Sequence, residues 1–244
     1  MSVLTSQVLS LTLVPVAATL LGGVVATFRT PGERLRSFVQ HFAAGVVFAA
    51  VAGELLPEIT RGHQPLGVVI GFSLGVGLML VIRQLAQRLE RPIQEGGPAR
   101  NGNVGLVTVV GIDVLIDGLL IGVGFAAGAR VGTLLVVALT LELLFLGVSV
   151  ASSLGQSGTP RGRTILTVAG LSLLVMLGAL LGGTLLQGLT GLALEVVLSF
   201  GAAALLYLVT EELLTEAHEV QETPVITAAF FAGFVALYLL ELAA

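Results

Sequence analysis

The sequence predicts an all-α, polytopic membrane protein. It has eight transmembrane helices, with an inverted repeat of helices one to three and six to eight around a central pair, helices four and five. Three observations lead there. Hydrophobic residues make up 55% of the chain and charged residues only 11%, with a mean hydropathy of +1.03, whereas a soluble domain needs roughly a quarter of its residues charged. The charges cluster between about eight apolar runs, each near the ~20 residues that cross a hydrocarbon core. The third observation is that the two ends of the chain resemble each other.

In chain order the runs are 8–28, 38–58, 66–84, 104–127, 131–153, 165–186, 193–213 and 225–242. No charge precedes residue 8, so the first run lacks the basic region of a secretory signal and reads as a retained helix. The second begins near His41 and carries Glu54 and Glu58 at its outer end. His63 falls in the loop beyond it. After the third run, the Arg-, Gly- and Pro-rich stretch from Gln84 to Asn103 reads as a flexible loop. The fourth and fifth runs hold Asp113, Asp117 and Glu142. Glu195 opens the seventh, where it complements a helix N-terminus. The inner end of that run holds Glu211, Glu212 and Glu216, and Glu241 closes the last at interfacial water. The whole is one transmembrane domain, residues 1–244, divided as 8–92, 103–153 and 165–244.

Composition also excludes chemistry. The chain has no cysteine, which removes disulfides, iron–sulfur clusters and thiolate metal sites. Its basic residues are all arginine, so a Schiff-base or P-loop lysine is ruled out, and a net charge of −4 argues against nucleic acid. One set of loops holds Arg29, Arg34, Arg36, Arg83, Arg88, Arg91, Arg100, Arg161 and Arg163. The alternating set holds only Arg61 and Arg130. The positive-inside rule makes the first set cytoplasmic and places both termini outside.

The repeat aligns Phe42–Glu54 with Phe200–Glu212 without gaps, Glu58 with Glu216, and Leu20–Gly23 with Leu180–Gly183. The Gly71-Phe72 pair falls opposite Gly233-Phe234 more weakly. Five spans separate each helix from its copy, so the copies cross in opposite directions, as in transporters with a site near the midplane. Similar small-residue helix interfaces are the alternative, and the matched carboxylates weigh against it.

Asp113 and Asp117 stand four residues apart, on one helical face with about 6 Å of rise between them. Glu142 sits near the middle of helix five, with Ser149 and Ser153 continuing its stripe. An intramembrane carboxylate costs at least ~2.5 kcal/mol, and no arginine stands beside these three. They must therefore bind a cation, carry protons or share a proton, and three convergent carboxylates suit a divalent metal. Protonated carboxyls acting as interhelical glue are the alternative. Glu54, Glu58, Glu211, Glu212, Glu216 and His218 are entrance or exit positions for a cation, or else solvated helix ends.

At these residues the chain resembles the ZIP family of divalent metal transporters across nearly all eight spans. The likeness is strongest in Phe42-Ala-Ala-Gly-Val with Glu54-Leu-Leu-Pro-Glu58, in Asp117-Gly118-Leu-Leu-Ile-Gly-Val-Gly-Phe, and in Glu211-Glu-Leu-Leu-Thr-Glu216-Ala-His218. The family's helix-four pattern His-Asn-x-Pro-Glu-Gly is met by Asp113-Val-Leu-Ile-Asp117-Gly118. Its helix-five pattern His-x-x-Pro-Glu-Gly is met by Glu142-Leu-Leu-Phe-Leu146-Gly147. Both histidines are carboxylates here, and Ile116 and Phe145 replace the prolines. Val114, Leu143 and Leu146 cannot coordinate, so a paired-metal site loses most of its second half. The resemblance implies a homodimer in the cell membrane, without enzymatic activity, that moves divalent cations such as Zn²⁺, Mn²⁺ or Fe²⁺. The residues themselves point to one metal held by Asp113, Asp117 and Glu142, and all-carboxylate ligation favours a harder ion such as manganese over zinc. A non-transporting sensor or subunit and an intramembrane metal-dependent hydrolase are the competing functions.

Overall fold

The computed structural model describes residues 3–94, 99–186, 188–221 and 223–243. Its elements are α1 (Val3–Phe28), α2 (Glu33–Gly62), α3 (Pro65–Gln94), α4 (Ala99–Ala127), α5 (Ala129–Gln156), α6 (Arg161–Leu185), α7 (Gly191–Ala217) and α8 (Pro224–Ala243). Each contains a stretch long and apolar enough to cross a membrane. The connections are built from turn chemistry. His63 adopts a left-handed conformation (φ 53°) after α2, and Pro65 starts α3 where no amide donor is needed. Gly158 (φ 78°) and Gly188 (φ 83°) supply the left-handed residues after α5 and α6.

The expected flexible loop from Gln84 to Asn103 is a correction. α3 continues to Gln94 and α4 starts at Ala99, so most of that stretch is helix. Its Arg, Gln, Leu and Glu residues are good helix formers that carry the helix past the apolar run. The strongest breaker signal, at 96–98, lies outside the described residues, as does Gly97 as a marker of sidedness.

The helices pack as two sets. α1, α4, α5 and α6 form one, with the broadest contacts between α4 and α6 and between α1 and α5. The other comprises α2, α3, α7 and α8, paired as α3 with α7 and α2 with α8. Contacts between the sets, chiefly α2 with α5 and α3 with α4, are narrower. Lipid offers no hydrophobic drive between helices, so close approach depends on small residues. A Cβ on Gly118 would run into the Val175 carbonyl, and one on Gly178 into that of Leu115, so these glycines set the α4–α6 spacing. Gly45 and Gly233 do the same for α2 and α8.

Two helices depart from regular geometry. α2 passes through a π-turn at Val51–Leu55, and α7 through one at Leu208–Leu213. Such turns insert a residue into the helical register and re-aim the side chains around it. α5 is the most enclosed span, with Leu135, Leu139 and Leu143 fully buried, and α8 is the least enclosed.

Candidate metal centre

α4 and α5 run unbroken through the predicted site, consistent with Ile116 and Phe145 standing where proline would kink them. The two aspartates share a face of α4, and Glu142 meets them from α5. Each of the three offers an oxygen within 4.8 Å of the others, and all three residues are buried. Among the described residues no other group of His, Asp and Glu side chains converges this closely. Asp117 Oδ2 and Glu142 Oε2 are buried without a hydrogen-bond partner. A buried, unpartnered carboxylate oxygen is costly unless it receives a cation or a proton.

The surroundings differ on the two sides of these carboxylates. Toward the Ala127–Ala129 corner, the next turns of α4 and α5 carry the buried apolar residues Leu120, Ile121, Leu135 and Leu139. Toward the arginine-rich end lies a cavity of about 120 Å³, lined by Glu142, Ser149, Glu212 and Glu216 together with apolar side chains. Ser149 thus continues the Glu142 stripe as its spacing predicts. Glu212 lies in the π-turn of α7, within electrostatic range of Asp113 and Glu142, and Glu216 lies one turn further out. Gln40 Nε2 donates to Glu216 Oε2 at 2.7 Å, and the Arg36 charge acts on the same carboxylate.

The other sequence-predicted positions are placed elsewhere. Glu211, adjacent to Glu212, turns outward and accepts from Arg83 Nη1 at 2.7 Å. Glu54 and Glu58 lie at the opposite end of the molecule. Glu54 Oε1 accepts from Arg130 Nε at 3.1 Å, and Glu58 Oε2 accepts from Arg61 Nη1 at 2.9 Å. Arg130 Nη2 also donates to the Glu241 carbonyl at 2.8 Å, so one guanidinium of α5 ties α2 to α8. His218 stands edge-to-face with buried His41, their ring centres 5.1 Å apart.

Two terminal carboxylates correct the sequence reading. Glu195, expected to complement the N-terminus of α7, lies beyond its first turn, buried against Gly62 and Gly67 with Oε1 unpartnered. Glu241 is half-buried at the end of α8, and it packs its carboxylate onto Gly53 with Oε2 buried and unpartnered. Sequence reasoning passed over Gln40, Arg36 and Arg130. A glutamine beside His41 at the start of an apolar run was the one local signal; Arg130 meets partners 76 and 111 residues away.

Fold and site together define a multi-pass helical membrane protein with a buried acidic centre where two helical sets meet. The chain matches no family model. The zinc transporter ZIPB of Bordetella bronchiseptica (strain ATCC BAA-588 / NCTC 13252 / RB50) is 32% identical, over 93% of this chain and 78% of its own length. The chain belongs to the ZIP family.

Proposed function

We propose that this protein carries divalent metal cations across the membrane, with Asp113, Asp117 and Glu142 as the transport site. The observation that carries the proposal is three buried carboxylates converging within 4.8 Å, two of their oxygens without a partner. Membership of the ZIP family and the name of its Bordetella relative support a metal as cargo. The donor set is oxygen only, which favours a hard ion such as manganese over zinc, although zinc accepts carboxylates as well.

The two helical sets suggest how the ion moves. The set of α1, α4, α5 and α6 holds all three ligands, and the set of α2, α3, α7 and α8 holds Glu212 and Glu216. Sliding the first against the second presents the site to either side of the membrane in turn. In the arrangement seen, the cavity leads to the arginine-rich end, cytoplasmic by the charge rule, and the buried leucines of α4 and α5 close the other. The Arg130 bridge from α5 to α2 and α8 fastens that closed end. Glu212 and Glu216 then form a stepwise exit. An ion leaving three carboxylates meets two more before it reaches water, and protons replace it behind.

The inverted repeat has support of the same kind. Exchanging helix one with six, two with seven, three with eight and four with five turns the α1–α5 pair into α6–α4 and the α2–α8 pair into α7–α3, the four broadest packings in the molecule. The two π-turns fall at the aligned positions around Glu54 and Glu212. Homodimerisation rests on family resemblance.

Reconstituted protein in sealed vesicles enclosing a metal-sensitive dye tests the proposal. Protein-dependent entry of manganese and zinc is the expected result. Metal binding without entry would assign the chain the role of a sensor or subunit.

A further inference from the structure

A second cavity, of about 240 Å³, opens at the arginine-rich end between α1, α2 and α5, apart from the carboxylates. Leu21, Val25, Leu35 and Val148 are among its walls, and apart from Arg36 its lining residues are apolar or glycine. Leu21, Val25 and Leu35 are more than half exposed, so the crevice opens on the outer surface of the helices, which faces hydrocarbon in a membrane. Arg36 stands on the crevice wall, its guanidinium 5.9 Å from the Phe145 ring centre. Arg29 lies in the short connection between α1 and α2, and Arg34 in the first turn of α2.

Apolar cavities exclude water, and one of ~150 Å³ is enough to take benzene. This crevice is larger and borders lipid, so a hydrocarbon chain is its natural filling. Arginine at the level where spans end reaches toward the headgroups and attracts anionic ones. We infer that the crevice binds one acyl chain of an anionic phospholipid, with the lipid phosphate held by Arg36.

The place of the crevice gives such a lipid a consequence for motion. Its walls come from α1 and α5 on one side and α2 on the other, so it spans the boundary between the two helical sets. A chain seated there fits one relative position of the sets and stabilises that position over others. Phe145, whose ring lies under the Arg36 guanidinium, lines both the crevice and the cavity beside the carboxylates, and so joins the two.

The test reads lipid binding directly and does not depend on whether the protein transports metal. Full-length protein in mild detergent is equilibrated with phosphatidylglycerol or phosphatidylcholine, and retained lipid is counted by native mass spectrometry. Wild type should prefer phosphatidylglycerol by about fivefold, the ratio equivalent to the ~1 kcal/mol of one arginine near an anionic surface. Arg36→Gln should level the two lipids. Arg161→Gln, which removes a guanidinium stacked 5.5 Å from the Phe28 ring at the same end but outside the crevice, should keep the preference. Val25→Trp should fill the crevice and abolish retention of both lipids, with Leu35→Trp as a second filler should the first not fold. Equal retention of the two lipids by wild type, an unchanged preference in Arg36→Gln, or full retention in a folded filler variant would overturn the inference. Displacement of the lipid by inorganic phosphate alone would also overturn it, because the site would then bind an anion without a chain.

Discussion

Asp117→Asn should move the stability of the protein in opposite directions with and without metal. The substitution keeps the shape of the side chain and removes one of three negative charges that lie within 4.8 Å of one another. Two ionised carboxylates at that distance repel by about 3.5 kcal/mol at an effective dielectric constant of 20. In metal-free protein the variant should therefore unfold later than wild type. The advantage approaches that figure when the carboxylates are ionised and shrinks as protons fill the site. With metal the order reverses. At a concentration one hundred times its Kd, a metal stabilises wild type by about 2.7 kcal/mol, or ~5–10 °C in Tm for a chain of this size. Losing a direct ligand should weaken binding at least ~100-fold, since even indirect partners are worth 10–100-fold. The same metal concentration then gives the variant only ~0.4 kcal/mol. Thermal melts followed by helical circular dichroism, with manganese or with chelator, measure both effects. An equal metal-induced shift in the two proteins, with no gain for the metal-free variant, would refute the carboxylate account.

Metal binding should release protons and weaken as pH falls, because the ligands must be ionised to coordinate; calorimetric titration in buffers of different ionisation enthalpy counts those protons. Gly178→Val should separate α4 from α6, since a Cβ there meets the Leu115 carbonyl, and should cost roughly 1–3 kcal/mol by overpacking; the same melts would read it as an earlier transition with or without metal. Arg130→Gln releases the bridge from α5 to Glu54 and Glu241, and should raise the labelling of cysteines introduced beside Leu135 and Leu139 from the outer face. In the cysteine-free chain, single cysteines at Gln64 and Ala129 should react with impermeant reagent from outside, and one at Gln221 only after the membrane is opened.

The spans were legible because apolar length is a strong constraint. Hydrocarbon leaves no unsatisfied backbone unpunished, and each apolar run became a helix near its expected ends, except that α3 runs on past Gln84 to Gln94. Asp113, Asp117 and Glu142 were legible for the same reason in reverse, as charges where charge is expensive. Helix continuation past the membrane was hidden, since Gln84 to Gln94 is polar enough to read as loop yet retains helix-forming residues. The contrast between Glu211, paired with Arg83, and Glu212, turned toward the carboxylates, depends on a π-turn that breaks the 3.6-residue period on which sequence reading relies. The pairings of Gln40 with Glu216 and of Arg130 with Glu54 cross from one helix to another, and spacing along the chain carries no trace of them.

Uptake of manganese into sealed vesicles, compared at equal protein density between wild type and Glu142→Gln, tests the central claim most directly. Glu142 reaches the proposed site from α5, is buried, and supplies one of its three charges. Wild type should show saturable uptake and the variant only the leak seen in protein-free vesicles. Uptake by folded Glu142→Gln at the wild-type rate and with the same half-saturating concentration would contradict that claim, because the ion would then be crossing by another route.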